Sequence, residues 1–163
     1  FGLRDTVTNV VAMIKLLVNA KNPYDLLEEN SKTKNLLKRF NEINEKYQKI
    51  IKKAEEFVEK DIVFFNYAGD LSISQYAANE LLYKYPHKVI VVVYTKGGIS
   101  NISLRWEKDI RTATINAIKD IDGASGGGHE HSTGARVPAD KILFFKERLL
   151  GEIKRIEDDD EEE

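Results

Sequence analysis

The chain has 163 residues, 42% of them hydrophobic and 32% charged, enough for one α/β core or for a helical segment joined to a smaller domain. No apolar run reaches the roughly 18 residues of a membrane span and no signal-like leader opens the chain, which predicts a cytoplasmic protein with no membrane partner. The absence of cysteine excludes disulfides and thiolate metal sites.

The formal charge of −2 is set by the seven acidic residues from Glu157 to Glu163; without them the body carries +5. A body of that sign can accept a polyanion, while the acidic tail, 157–163, is expected to be disordered and solvated. The chain opens on Phe1 and its single methionine, Met13, lies inside a patterned apolar segment, so the sequence reads as a piece of a longer protein.

Val7, Val10, Val11, Ile14, Leu17 and Val18 recur at three and four residues, predicting an amphipathic helix over about 5–20 with Asp5 or Thr6 as its cap. Its stripe assigns residues 1–30 to the helical end of a preceding domain. Asn22-Pro23 stops this helix and starts another, since Asn22 can cap, Pro23 suits a first turn and Asp25 favours the same end. From Leu36 the positions Leu36, Phe40, Ile43, Tyr47, Ile50, Ala54 and Phe57 alternate four and three. Leu37, Ile51 and Val58 broaden that heptad stripe, which favours a long connecting helix over 31–60, packed on its own domain, above a two-stranded coil.

At Asp61 the period changes. Ile62 to Tyr67 is a short apolar, β-prone run, Gly69-Asp70 turns, and a helix with Ile73, Tyr76, Ala77, Leu81 and Leu82 follows to Pro86. Val89 to Tyr94 is a second buried strand, and Lys96-Gly97-Gly98 turns it into a third, Ile99 to Trp106. On that third strand Asn101, Ser103 and Arg105 share one face, and Ile102, Leu104 and Trp106 the other. An arginine with a hydroxyl two residues before it can grip a phosphate through its fork of donors, or can be an ordinary solvent-facing arginine.

Ile110, Thr114, Ala117, Ile118 and Ile121 define a helix stopped by Asp122-Gly123. Then comes Ser125-Gly126-Gly127-Gly128-His129-Glu130-His131-Ser132-Thr133-Gly134. Three glycines lose much backbone entropy on ordering, so they read either as a loop that wraps an anion, with an imidazole adding a donor, or as a flexible linker. A short extended piece, Gly134 to Val137, leads to a final helix from Pro138 and Asp140 that buries Ile142, Phe145, Leu149 and Ile153. Residues 61–156 are therefore expected to form a small α/β domain with helices covering a mixed sheet.

Phe64-Phe65-Asn66-Tyr67-Ala68-Gly69, Ala78-Asn79-Glu80-Leu81-Leu82 with Tyr85-Pro86, Ser103-Leu104-Arg105, Gly126-Gly127-Gly128-His129, Gly134 and Val137-Pro138-Ala139 together resemble, in order and spacing, the DHHA1 domain, the substrate-binding domain of the DHH phosphoesterases. Residues 1–60 resemble the end of a DHH domain plus the connecting helix of the RecJ-like branch, of archaeal type. The resemblance implies that Arg105 and His129 contact phosphate, that Ser103 supports them, and that Gly126, Gly127 and Gly128 let the backbone come close. It also implies that two divalent metals, Mn2+ or Mg2+, sit on a DHH domain this chain does not contain, where a metal-activated water attacks the phosphodiester.

No Asp-His-His triplet occurs here, so no cofactor and no catalytic residue is assigned to the chain; it is expected to bind and not to cut. The partner implied is a single-stranded nucleic acid or short oligonucleotide together with the missing DHH domain, and the RecJ-like branch also admits a replication-factor partner, which would make the chain a scaffold in a replication or repair assembly. Alanyl-tRNA synthetases carry a related glycine-rich tRNA-binding domain, but His129 and the run Gly134 to Pro138 fit the phosphoesterase branch better.

Overall fold

Helix α1, Val7–Asn19, starts where Thr6 can cap it, its side chain accepting from the Asn9 N–H at 3.4 Å in the computed structural model, which describes residues 6–162. Asp5, the other cap candidate, and Glu163, the end of the acidic tail, lie outside the described residues. The start predicted at Asn22-Pro23 yields only a single 3-10 turn, Pro23–Leu26, although Asn22 and Asp25 form a complete capping box around it. Helix α2 then runs Lys34–Glu55.

The chain divides into two compact units between Lys49 and Ile50, inside α2. In the first, Met13, Leu16, Leu36, Phe40 and Ile43 line an apolar cleft, and Ile43 and Tyr47 of the heptad stripe are buried. In the second, the stripe continues on Ile51 and Ala54, both buried.

The second unit carries a five-stranded mixed sheet. Strands β1, Ile62–Ala68, and β2, Val89–Lys96, run parallel, joined by helix α3, Ser74–Lys84. β2 is buried at six of its eight positions and β1 at four of seven, because a crossover helix lies on one face and other helices on the opposite one, so their sequence reads as largely apolar runs. Strand β3, Ile99–Arg105, returns antiparallel through a two-residue turn in which Gly97 and Gly98 have φ of 59° and 76°, the left-handed pair a tight hairpin requires.

Helix α4, Ile110–Ile118, is capped by Asp109, whose carboxylate accepts from the Thr112 hydroxyl at 2.6 Å and from the Thr112 N–H at 3.0 Å, and these bonds hold it below the usual carboxylate range. Strands β4, Ser125–His129, and β5, Ser132–Pro138, complete the sheet in the order β1-β2-β3-β5-β4.

Helix α5, Ile142–Glu162, closes the domain. The core lies between the sheet and the α4–α5 pair, around Val91, Val93, Leu104, Trp106, Phe145 and Leu149. Phe145, Leu149 and Ile153 are buried as their spacing predicts.

Two expectations change. The stretch from Ser125 to Gly134 is a β-hairpin with its turn at Glu130-His131, where a loop is expected. The hairpin needs nothing from the glycine side chains: β5 buries Thr133, Ala135 and Val137, and β4 pairs with it through backbone alone. Its tip is tied down where the Ile110 N–H donates to the Glu130 carbonyl at 2.9 Å. The acidic stretch from Glu157, expected to be disordered, continues α5 to Glu162. Extending a helix already fixed by Phe145, Leu149 and Ile153 costs far less than nucleating one.

Candidate phosphate-binding site

Strand alternation sorts the glycine hairpin onto two faces. Across the sheet Arg105 pairs with Ser132 and Ser132 with His129; Ser103 pairs with Gly134 and Gly134 with Gly127; Asn101 pairs with Arg136 and Arg136 with Ser125. Residues in register point to the same side, so these nine positions form one surface, opposite α4 and α5. Helix α3 packs on that side against β2 and β3. Beyond it Ser125, His129, Gly134 and Arg136 are exposed, leaving a shallow polar floor with α3 as its wall.

Arg105 stands where wall meets floor. Its Nε donates to Asn79 Oδ1 of α3 at 2.8 Å, and its Nη1 donates to the Leu104 carbonyl at 2.7 Å and the Thr133 carbonyl at 3.4 Å. These three bonds fix the guanidinium and leave Nη2 without a protein partner among the described residues. Burial lowers the pKa of Arg105 from its ordinary value, yet an arginine so placed stays charged at neutral pH. A fixed cation whose partners are an amide and two carbonyls keeps its full charge for a ligand, and the fork geometry suits phosphate.

His129 lies in the same row on edge strand β4, two strands away, at about 10 Å between Cα atoms from the spacing of neighbouring strands. Both positions lie on the open face, on either side of Ser132. His131 points elsewhere, its Nδ1 at 3.2 Å from the Lys108 carbonyl.

The three glycines are not equivalent. Gly127 is on the open face, and a Cβ there would meet nothing within 4 Å, so the backbone is bare at this position. Gly126 and Gly128 face the other way. A Cβ on Gly126 would come within 3.0 Å of Ile118 Cδ1 and 2.9 Å of the Gly134 carbonyl, and one on Gly128 within 2.5 Å of the Ser132 carbonyl. Those two glycines let the hairpin close and let α4 pack beneath it.

Ser103 is buried, and its hydroxyl donates to the Ser74 hydroxyl at 3.0 Å. It joins β3 to the first turn of α3, the helix that also carries Asn79. The reading by residue type missed Asn79 and Arg136; continuing the alternation from Gly134 would have placed Arg136 on the same face.

The construction, a βαβ unit extended by antiparallel strands with a glycine-floored polar face, is a small mixed-sheet domain of the α/β class. The DHHA1 domain family model matches residues 62–155, and the chain belongs to that family. Two structures of RecJ from Thermus thermophilus are similar in fold. The complex with Mg2+ matches with a TM-score of 0.62 and 14% identity over 91% of this chain, and the complex with Mn2+ with 0.61 and 14% over 94%. A pGpG-specific phosphodiesterase, PggH from Vibrio cholerae, matches with a TM-score of 0.60 and 11% identity over 91% of this chain. The chain spans 23% and 22% of the RecJ chains and 51% of PggH. Among curated proteins none matches the chain.

Proposed function

We propose that this DHHA1 domain holds the phosphodiester backbone of a single-stranded nucleic acid or short oligonucleotide against the open face of β3, β5 and β4. The observation that carries this is Arg105, pinned by Asn79 and two carbonyls, with no carboxylate partner among the described residues and with the bare backbone of Gly127 and Gly134 beside it. His129 adds a second donor to the same phosphate, and Ser103 acts through α3.

Likeness to a pGpG-specific phosphodiesterase and to metal-bound RecJ supports a phosphodiester ligand and a separate metal-bearing domain. Among the described residues no three His, Asp or Glu side chains are grouped to hold a metal ion. The described residues do not fit Mn2+ or Mg2+. The parent is then a RecJ-like single-strand exonuclease of archaeal type, cytoplasmic and acting in DNA repair or replication, whose hydrolytic centre sits on its DHH domain.

Fluorescence anisotropy with a labelled, 5′-phosphorylated single-stranded oligonucleotide tests the binding claim. Affinity is expected to fall as salt rises, with a slope of about −0.7 per phosphate contacted in a plot of log K against log salt. An affinity independent of salt would remove phosphate recognition from the account.

A further inference from the structure

The open face extends past the phosphate position just described. Four residues along β5 from Ser132, the exposed Arg136 projects from the same face, with exposed Asn101 and Ser125 in register on either side. At the end of β2, Lys96 stands on this face one row further on. Beside Lys96 in register stand Ile99 and Pro138, and the other positions of this face on β3, β5 and β4 are Asn, Ser, Gly, His and Arg, with no carboxylate among them.

Several basic side chains of the domain are already matched to carboxylates. Lys84 pairs with Glu55 at 2.7 Å, Arg148 with Asp120 at 2.7 Å and Arg155 with Glu152 at 3.3 Å. Arg105, Arg136 and Lys96 have no ion pair among the described residues, and the Asn101 amide beside Arg136 has no hydrogen bond there. Arg105, Arg136 and Lys96 thus share one face of the sheet, with the uncommitted Asn101 amide beside Arg136 making a second station.

Spacing distinguishes this station from the first. Four residues of strand cover about 14 Å, at roughly 3.4 Å per residue. The Arg105 guanidinium is held by the Leu104 and Thr133 carbonyls, one row towards Arg136, which leaves three rows, about 10 Å, between that point and the Arg136 position. The two cations are thus set for different phosphates of one strand, further apart than the phosphates of adjacent nucleotides.

We propose that Arg136, with Asn101 beside it, is a second phosphate contact, and that the domain is built for a strand of several nucleotides in preference to a dinucleotide. This rests on the reading of the Arg105 face as the phosphate site.

The test measures affinity of the 163-residue chain for pGpG and for a 5′-phosphorylated single-stranded octamer, in the unsubstituted protein and in Arg136→Ala, Arg136→Lys and Arg105→Ala. Arg136→Ala is expected to weaken octamer binding about tenfold, lower its salt slope by about one contact and leave pGpG unchanged, with Arg136→Lys recovering most of the loss. Arg105→Ala should weaken both ligands. Unchanged octamer binding in Arg136→Ala, or an equal loss for both ligands, would overturn the second contact while the Arg105 site stood. If Arg105→Ala left both ligands unaffected, the underlying site assignment itself would fall, and with it this inference.

Discussion

Arg105→Ala is expected to reduce affinity for a short 5′-phosphorylated single strand between about 10- and 150-fold, the range that follows from losing roughly 1.5–3 kcal/mol of hydrogen bonding to a charged group. The geometry explains why one side chain carries so much. Asn79 and the Leu104 and Thr133 carbonyls hold the guanidinium before any ligand arrives, so little side-chain entropy is lost on binding. Arg105→Lys keeps the charge and loses the fork, and should fall between the two. Since Arg105 also ties α3 to β5, thermal melting of each variant separates lost contact from lost fold. An Arg105→Ala protein that melts normally and binds normally would exclude this residue from the site.

Gly128→Ala is expected to destabilise the domain by about 3 kcal/mol, from a strained backbone conformation together with overpacking. The φ of Gly128 is 148°, and an added Cβ would meet backbone on β5, the Ser132 carbonyl at 2.5 Å and Thr133 Cα at 2.9 Å. Backbone atoms of a paired strand cannot step aside as the end of a side chain can. Gly127→Ala shares the unfavourable φ, at 155°, but meets no atom within 4 Å, so its cost should be smaller, about 1 kcal/mol. Its larger effect should be on affinity, because the added methyl stands on the face a ligand approaches. Denaturant melts of the two variants check the order, and equal stability losses would show that the two glycines are not divided between packing and binding.

What could be read from the sequence depended on where side chains report the fold. The parallel pair Ile62 to Tyr67 and Val89 to Tyr94, the turn at Gly97-Gly98 and the buried face of α5 are all written in apolar spacing or turn chemistry, and the structure has them in place. Strand β4 is not written that way. Its Ser125, three glycines and His129 have no alternation to show, and their pairing is dictated by β5 across from them. Likewise, alternation placed Ser103 with Arg105 but could not show that α3 would cover one and leave the other at its rim. Asn79 fell to the same limit, since only the tertiary arrangement brings an exposed helix residue to Nε of Arg105. The acidic end of α5 reads as a tail by charge, whereas the apolar register upstream of it carries the helix on.

The central claim is that ligand phosphate meets the open face of β3, β5 and β4. Titrating the 15N-labelled chain with a 5′-phosphorylated single-stranded oligonucleotide, observed by two-dimensional NMR, addresses it most directly. The account predicts saturable shifts at the Arg105 Nε–H and at the amides of Gly127, His129, Ser132 and Gly134, weakening as salt is raised. Shifts confined to the opposite side, at Leu143, Phe144 and Glu147 of α5, with the β4–β5 hairpin silent, would contradict it.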